Sequence, residues 1–240
     1  MDKLSKEQEV MERRYALPYN WMRQVSSRHW RQKNGIWDIA RKQAGSLSEK
    51  RVLDAGCGDG WYSAKISESG CEKVHGIDYS EKAIEFAKII VPDAIFKKAS
   101  ITDIPYEDNF FDVIFSFQVL EHIPPEELNK AIKEISRVLT TDGVLVFSVP
   151  SKRRPMSTAH YQHFDEKGIE NMIGKYFRVE KIIGQEGYTP VLKLIERLLE
   201  NRFWLLRSLA EKFNQDMYLR YWNRTRANLG HNLIVFCRVK

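Results

Sequence analysis

The feature that most constrains the fold is the stretch Val52–Gly60, which reads Val-Leu-Asp-Ala-Gly-Cys-Gly-Asp-Gly. An apolar pair leads into an acid, and three glycines follow at alternate positions. The residues after it, Trp61–Ile66, are typical of the start of a helix. A strand that ends in a glycine turn and continues into a helix is the nucleotide-binding corner of a doubly wound α/β sheet. Because glycine lacks a Cβ, the backbone there can turn sharply and approach a ligand closely.

The spacing of the glycines and the charges beside them limit the kinds of ligand that this turn can bind. The glycines follow G-x-G-x-G, whereas dinucleotide sites carry G-x-G-x-x-G, and Asp54 and Asp59 flank them. A phosphate placed here would be repelled by about 4 kcal/mol per charge pair at a separation of ~4 Å and an effective dielectric constant of ~20. A cationic nucleoside without phosphate would be attracted, and S-adenosylmethionine, with its sulfonium and ammonium groups, is such a ligand. The alternative is a tight turn that binds nothing.

The length and amino-acid composition of the chain limit the class of protein to which it can belong. A chain of 240 residues with 43% hydrophobic content is long enough for one α/β domain with appendages. No apolar run approaches the ~20 residues that span a bilayer, and the charged segment Met1–Met11 gives no reason to expect a secretory signal. Three widely spaced cysteines, Cys57, Cys71 and Cys237, form neither a disulfide framework nor a metal knuckle. We therefore expect a cytoplasmic protein.

The net charge of +6 is unevenly distributed. Residues 1–50 hold 11 basic and 6 acidic residues, residues 190–240 hold 10 and 4, and residues 51–189 hold 17 and 22. An acidic centre that contains the glycine turn is thus flanked by basic ends. This division favours an acidic or phosphate-bearing acceptor near the ends of the chain.

The apolar pattern predicts a helical N-terminal cap over residues 1–48 and an α/β domain over 49–240. Aromatic residues of the cap either pack in its core or cover a pocket above the turn. The predicted strands are Arg51–Asp54, Lys73–Asp78, Ala94–Lys97, Phe111–Phe115, Val144–Val149, Tyr176–Ile183 and Asn232–Val239. The predicted helices are Trp61–Ser69, Glu81–Ile90, Pro125–Leu139 and Asp165–Gly174. A tight turn is expected at Thr141–Gly143, and a helical insertion at 190–230 precedes the last strand, 232–239. Alternating strands and helices of these lengths predict a mostly parallel sheet.

Four motifs in this order resemble the class I S-adenosylmethionine-dependent methyltransferases, particularly those that act on small molecules in quinone and natural-product biosynthesis. They are Val-Leu-Asp-Ala-Gly-Cys-Gly-Asp-Gly, Gly-Ile-Asp-Tyr-Ser, Asp-Ile-Pro-Tyr followed by Phe-Phe-Asp-Val-Ile, and Val-Leu-Glu-His-Ile. The resemblance covers residues 50–183 and the last strand. It implies a Rossmann-like, seven-stranded, mostly parallel sheet whose last strand is antiparallel, with S-adenosylmethionine as cofactor.

The resemblance also implies a set of cofactor-binding residues at the carboxyl ends of successive strands. Asp54, Ala55, Gly56, Cys57, Gly58 and Gly60 would surround the methionine part. Asp78 would hold the ribose and Tyr79 would pack on the adenine, with Ser100 and Ile101 beside it and Gln118 facing the sulfonium. Family members commonly carry an aspartate where this chain has Ser100.

A general base is needed only when the methyl acceptor holds a proton. His122, His160 and His163 are the candidates, and a structural role for His163 is the alternative that the resemblance favours. Some relatives bind magnesium through Glu-x-x-Glu-His. Gln118 stands where the first glutamate would be, so we expect no metal.

The sequence thus predicts methyl transfer to an O, N or C atom of a small-molecule or lipid- or glycan-like acceptor. An RNA methyltransferase and a non-catalytic protein that binds the cofactor are the alternatives, and DNA is not expected as a partner. The apolar stripe at 190–213, interrupted by basic residues, is typical of core packing. It would also suit peripheral membrane contact or a homodimer interface.

Overall fold

The structure is a computed structural model and describes residues 9, 12–13, 15–22, 28–186 and 223–240. The stripe at 190–213 and most of the insertion at 190–230 lie outside these residues, as does much of the cap. The helices are α1 (Arg28–Ala44), α2 (Trp61–Ser67), α3 (Glu81–Ile90), α4 (Pro125–Val138) and α5 (Glu166–Ile173). The strands are β1 (Arg51–Ala55), β2 (Lys73–Asp78), β3 (Ile95–Lys98), β4 (Phe111–Phe117), β5 (Leu139–Pro150), β6 (Phe177–Gln185), β7 (Arg224–Thr225) and β8 (Asn232–Val239).

One mixed sheet carries these strands in the order β3-β2-β1-β4-β5-β8-β6-β7. The first five strands in this order are parallel to one another, and β8 is antiparallel to both β5 and β6. The predicted fold class is confirmed, including the antiparallel last strand. The sheet has eight strands and not seven, because the two-residue strand β7 adds to the edge of β6. The order reverses between β1 and β4, and ligands of such sheets bind beside that point.

Local sequence explains where the helices begin. The side chains of Ser80 and Asp165 cap α3 and α5 by accepting hydrogen bonds from the backbone N–H groups of Ala83 and Gly168, the preferred chemistry at this position. Pro125 opens α4, where its missing N–H costs no helical hydrogen bond.

The prediction of a tight turn at Thr141–Gly143 is wrong, because β5 runs through these residues. The register moves from Phe111 opposite Leu139 to Val113 opposite Val144. The extra residues are therefore accommodated as an irregularity inside the strand, which keeps the pairing with β4 on both sides.

Alternation along β1 divides the core between the two faces of the sheet. Val52 packs in a cluster with Ile36 and Trp37 of α1, whereas Leu53 packs in a cluster with Ile132 of α4. Successive strand residues point to opposite faces, so β1 is covered on both sides, and its last four residues are buried. Within the described part of the chain, no helix has the length and apolarity needed to cross a bilayer.

Candidate functional site

The glycine turn after β1 is held against the end of β2. The backbone N–H groups of Gly56 and Cys57 both donate to the carbonyl of Ile77, at 2.8 and 2.9 Å. Gly56 has a φ of +83°, a conformation that L side chains rarely adopt. A Cβ at this position would lie 2.4 Å from Cγ2 of Val119. The turn therefore requires glycine for its conformation and for the space beside it.

Asp78 at the tip of β2 is buried against this turn. One carboxylate oxygen accepts the N–H of Gly58 at 2.9 Å, and the other accepts the N–H of Ser80 at 3.0 Å. Burial raises the pKa of Asp78 to about 6, against the lowering effect of these two hydrogen bonds. The carboxylate thus couples the glycine turn to the start of α3 and borders the cavity described next.

Asp54, near the end of β1, is more deeply buried than Asp78. Its carboxylate accepts a hydrogen bond from the hydroxyl of Ser63 at 2.7 Å. Burial raises the pKa of Asp54 to about 7, and the neighbouring Asp78 carboxylate adds to the rise. Two carboxyl groups with pKa values of about 6 and 7 therefore lie under the turn, and a bound cation would favour their ionised forms.

Two cavities open at this edge of the sheet. The first lies beyond β2 and β3, and its lining includes Tyr15, Gly56, Ile77, Asp78, Tyr79, Ala99, Ser100, Ile101, Gln118, Val119 and His122. The second lies over the glycine turn, and its lining includes Tyr15, Asn20, Lys33, Gly56, Cys57, Gly58, Tyr62, Gln118, Glu121, His122, Arg154 and His160. Tyr15, Gly56, Gln118 and His122 line both. A ligand in the first cavity can therefore meet one in the second at this shared wall.

The segment before α1 covers the glycine turn. The backbone and side-chain N–H groups of Asn20 each donate to Asp59 at 2.7 Å, and the indole N–H of Trp21 donates to the Asp59 carbonyl at 3.2 Å. A Cβ on Gly58 would lie 2.6 Å from the hydroxyl oxygen of Tyr15. Of the two alternatives for the aromatic residues of the cap, core packing and covering of a pocket, Tyr15 shows both, since it is buried and lines both cavities.

Gln118 marks the point where the chain leaves β4. Its φ of +58° is left-handed, which costs a non-glycine residue roughly 1 kcal/mol. Its backbone N–H donates to the carbonyl of Ser148 at 2.9 Å, and its side-chain amide donates to the Ser148 hydroxyl at 3.2 Å. These bonds hold Gln118 at the wall between the two cavities.

Three histidines gather beside the second cavity. The His122 and His160 rings meet edge to face with centroids 4.8 Å apart, and Nδ1 of His160 lies 2.9 Å from Nε2 of His163. Nδ1 of His122 lies 2.6 Å from the carbonyl of Ala159, and Nδ1 of His163 lies 3.1 Å from the carbonyl of Arg154. His122 lines both cavities and His160 lines the second.

Glu121 is fully buried next to these rings. Within the described residues, neither of its side-chain oxygens has a hydrogen-bond partner, and burial raises the pKa of this carboxyl to about 8. Glu121, His122 and His160 offer one donor atom each within 4.8 Å of one another, residue types that a divalent cation could use. We propose that none is bound, since burial favours a neutral Glu121 and Gln118 stands where a second carboxylate would be needed.

The predicted cofactor residues take different places around the cavities. Asp78, Tyr79, Ser100, Ile101, Gly56 and Gln118 line the first cavity, and Gly56, Cys57, Gly58 and Gln118 line the second. Asp54 lies behind the turn, and Ala55 belongs to the buried core. A Cβ on Gly60 would lie 3.1 Å from Ala87, so this glycine allows α2 and α3 to pack closely. Of the two main base candidates, His122 lines the cavities, whereas His163 lies behind His160.

Several lining residues were not predicted as site residues. Lys33 lies over the rings of Trp61 and Tyr62, 4.6 and 4.8 Å from their centroids, and Arg154 reaches the second cavity from the loop after β5. The only signal for Arg154 in the sequence is that it belongs to the basic run Lys152–Arg154 directly after β5. Lys33 has no such signal, because a lysine on an amphipathic helix usually faces solvent.

Sequence comparison agrees with this geometry. The family described as "Methyltransferase domain" matches residues 53–147. A probable S-adenosylmethionine-dependent methyltransferase of Mycobacterium tuberculosis is 30% identical over 114 residues, 48% of this chain and 40% of the relative. A ubiquinone biosynthesis O-methyltransferase of Nitrosomonas europaea is 32% identical over 118 residues, 47% of this chain and 48% of the relative. The chain spans about half or less of the length of these curated relatives.

Structural comparison extends the likeness beyond the matched segment. A crystal structure of a protein from Pyrococcus horikoshii superimposes with a TM-score of 0.64 and 18% identity, covering 95% of this chain and 99% of that one. At that identity the likeness concerns the fold. The chain is therefore similar to S-adenosylmethionine-dependent methyltransferases around residues 53–147, and over most of its length it shares the fold of that solved structure.

Proposed function

We propose that this protein transfers a methyl group from S-adenosylmethionine to a small-molecule acceptor bound in the second cavity. The observation that carries the proposal is the wall shared by the two cavities, formed by Tyr15, Gly56, Gln118 and His122. An adenosyl group beside Asp78 and an acceptor beside the histidines would meet there. Methyl transfer is an in-line displacement, so holding the two reactants in contact supplies much of its rate.

The residues at the turn suit S-adenosylmethionine, which when bound supplies the methyl group from a sulfonium centre. Asp78 borders the first cavity with Tyr79 and Ile101, where a carboxylate can accept hydrogen bonds from ribose hydroxyls. Glycine at position 56 leaves room that a Cβ would fill. The buried carboxyl groups of Asp54 and Asp78 favour a cationic ligand over a phosphate.

The acceptor is proposed to carry an acidic group, because the second cavity contains basic side chains on both of its sides. Arg154 enters from the loop after β5 and Lys33 from α1. The guanidinium of Arg154 donates to Asn232 at 3.1 Å, which fixes it toward the cavity wall. An anionic group on a small molecule would pair with these cations. The similarity to a ubiquinone biosynthesis O-methyltransferase supports a small organic acceptor, and the unpaired state of all three cysteines supports a cytoplasmic setting.

The RNA alternative rests on the basic ends of the chain and on interleaved aromatic and basic residues, such as those at 218–226, of which the structure describes only Asn223–Arg226. Lipid-like contact through 190–213 likewise lies outside the described residues. The described site contains no observation that favours RNA methylation or lipid-like contact.

Two measurements test the proposal. Calorimetric titration with S-adenosylhomocysteine should show binding, and absence of binding at high micromolar concentration would refute it. A cell extract incubated with the protein and methyl-deuterated S-adenosylmethionine should yield a small molecule heavier by one labelled methyl group. Asp78→Asn should lose this product, whereas the exposed Asp93→Asn should retain it. Label recovered only in RNA would refute the small-molecule form of the proposal.

A further inference from the structure

Arg154 lines the second cavity without an acidic partner. Its Nη1 donates to Oδ1 of Asn232 at 3.1 Å and lies 3.5 Å from Oε1 of Gln118. Both of these acceptors are neutral amides. Among the described residues, no atom accepts a hydrogen bond from Nε or Nη2 of Arg154, and no carboxylate forms an ion pair with it. The half-buried guanidinium therefore has donors and a full positive charge that a ligand can use.

Buried side-chain amides hold this guanidinium in place. Nε2 of Gln185 donates to the carbonyl of Gln32 at 3.0 Å. The other atom of that amide, Oε1 of Gln185, accepts a hydrogen bond from Nδ2 of Asn232 at 2.7 Å, which leaves Oδ1 of Asn232 for Arg154. Because Gln185 and Asn232 are fully buried, the fold and not the solvent sets the position of the oxygen that accepts from Arg154.

The second cavity has an excess of positive charge. Lys33 and Arg154 line it, whereas Glu121 is the only acidic residue in its described lining. Burial raises the pKa of Glu121 to about 8, so this carboxyl group is mostly neutral near pH 7 and does not balance the two cations. The first cavity has the opposite character, since Asp78 and Glu127 line it. An anion is therefore favoured on the side of the acceptor and a cation on the side of the cofactor.

We propose that the methyl acceptor is a carboxylate bound by Arg154, and that a carboxylate oxygen receives the methyl group to give a methyl ester. The inference rests on the proposed function and deepens it by naming the acceptor group. Gln118, which Nη1 of Arg154 approaches, belongs to the wall shared by the two cavities. An anion bound to Arg154 therefore lies beside the place where the cavities meet. Two N–H groups of a guanidinium also match the two oxygens of a carboxylate in shape.

Methylation of a carboxylate requires no proton transfer. One carboxylate oxygen supplies the electron pair of the new O–CH3 bond, the S–CH3 bond breaks, and its electron pair stays on sulfur. The products are a methyl ester and S-adenosylhomocysteine, and both reacting groups have lost their charge. A general base is unnecessary, because a carboxylate holds no proton at neutral pH. Exclusion of water favours this step, since the two opposite charges that disappear no longer need solvation.

Treatment of the product with alkali tests the inference, because a methyl ester is hydrolysed to volatile methanol whereas methyl ethers and N-methyl or C-methyl groups survive. The low-molecular-mass fraction of a cell extract is incubated with the protein and methyl-tritiated S-adenosylmethionine, and the labelled metabolites are then treated with mild alkali. We expect most of their label to be released as methanol. Label that stays non-volatile would overturn the inference and leave the proposed function standing. Absence of any labelled metabolite would refute both.

Three variants test the role of Arg154. Arg154→Gln should lower the rate of methyl ester formation by about 10- to 100-fold, the scale of a hydrogen bond to a charged group. Arg154→Lys keeps the charge without the planar pair of donors and should give an intermediate rate. The matched control is Arg153→Gln at the exposed neighbour, which is outside the described lining of the second cavity, and its rate should equal that of the wild type. Equal rates for Arg154→Gln and Arg153→Gln would overturn the assignment.

Binding measurements separate loss of acceptor recognition from loss of folding. Calorimetric titration with S-adenosylhomocysteine should give similar affinities for the wild type and all three variants, because Arg154 does not line the first cavity. The purified acceptor, added to the protein with S-adenosylhomocysteine bound, should bind about tenfold or more weakly to Arg154→Gln than to Arg153→Gln. Its methyl ester should bind the wild type more weakly than the free acid does, and equal binding of acid and ester would overturn the inference. The alkali test uses the wild-type protein alone, so it decides the acceptor group even if Arg154→Gln does not fold.

Discussion

Replacement of the buried carboxyl group under the glycine turn gives a direct test of the site's electrostatics. Burial raises the pKa of Asp54 from about 3.8 in the unfolded chain to about 7 in the folded protein. Between these values the folded state holds a proton that the unfolded chain has released. The free energy of unfolding therefore falls as pH rises through this window. At about 1.4 kcal/mol per pH unit, the loss between pH 5 and pH 8 is roughly 3 kcal/mol.

Asp54→Asn removes this titration and keeps the shape of the side chain. The amide oxygen can still accept the hydrogen bond that Ser63 donates to Asp54. We expect the variant and the wild type to have similar stability at pH 5, where Asp54 is protonated. At pH 8 the variant should be more stable by roughly 3 kcal/mol. Asp78 titrates in both proteins, so the difference between the two profiles reports Asp54.

Urea unfolding followed by tryptophan fluorescence at pH 5, 6, 7 and 8 measures the two profiles. The exposed Asp93→Asn serves as the matched control, and its profile should parallel that of the wild type. Parallel profiles for Asp54→Asn and the wild type would refute the reasoning, because they would mean that Asp54 ionises in the folded protein without cost.

Other positions of the site and its support give further tests. Asp78→Asn should weaken S-adenosylhomocysteine binding about 10- to 100-fold, the scale of a hydrogen bond to a charged group. An affinity within twofold of wild type by calorimetry would remove Asp78 from the site. Gly56→Ala should weaken that binding more than tenfold, because its Cβ meets Val119, whereas Gly45→Ala, also at positive φ but with open space around it, should change stability and leave the affinity unaltered. Equal losses of affinity in these two glycine variants would mean that backbone strain, and not the contact with Val119, weakens binding. Arg137→Gln should lower the free energy of unfolding by about 2 kcal/mol, since Arg137 donates to the carbonyls of Ile104 and Tyr106 and to Asp108 and Glu134. An unchanged urea midpoint would contradict this.

The strand–helix alternation was predictable because each element carries its own local signal. Lys73–Asp78, Glu81–Ile90 and Asn232–Val239 occur at their predicted bounds, since capping residues, buried apolar runs and turn residues all lie within a few positions of the ends. The turn at Thr141–Gly143 was predicted wrongly because tight-turn chemistry also suits a strand irregularity. Only the pairing with β4, which involves distant residues, decides between the two.

The site was predictable to the same extent. Asp78, Gly56 and Gln118 follow strand ends, and parallel strands bring such positions to one edge. The contacts of His160 and His163 were not predictable, because they depend on which carbonyl faces which ring nitrogen. Lys33 and Tyr15 reach the cavities from the segment before β1, so no strand end marks them.

The same carboxyl groups that destabilise the free protein should also favour a cationic ligand over a neutral one. Burial raises the pKa of both Asp54 and Asp78, and the Asp78 carboxylate raises that of Asp54 further, so the free protein reduces this cost by retaining protons. The carboxylate of Asp59, by contrast, accepts two hydrogen bonds from Asn20. A cationic ligand over the turn would favour the ionised forms of Asp54 and Asp78 and would be attracted to both carboxylates. A neutral analogue would gain no such attraction. Only Asp54 of the pair has a cation among the groups that shift its pKa, which is Lys33. We therefore expect the protein to bind S-adenosylmethionine more tightly than S-adenosylhomocysteine, which lacks the sulfonium charge, and we expect release of this product to be easier for the same reason.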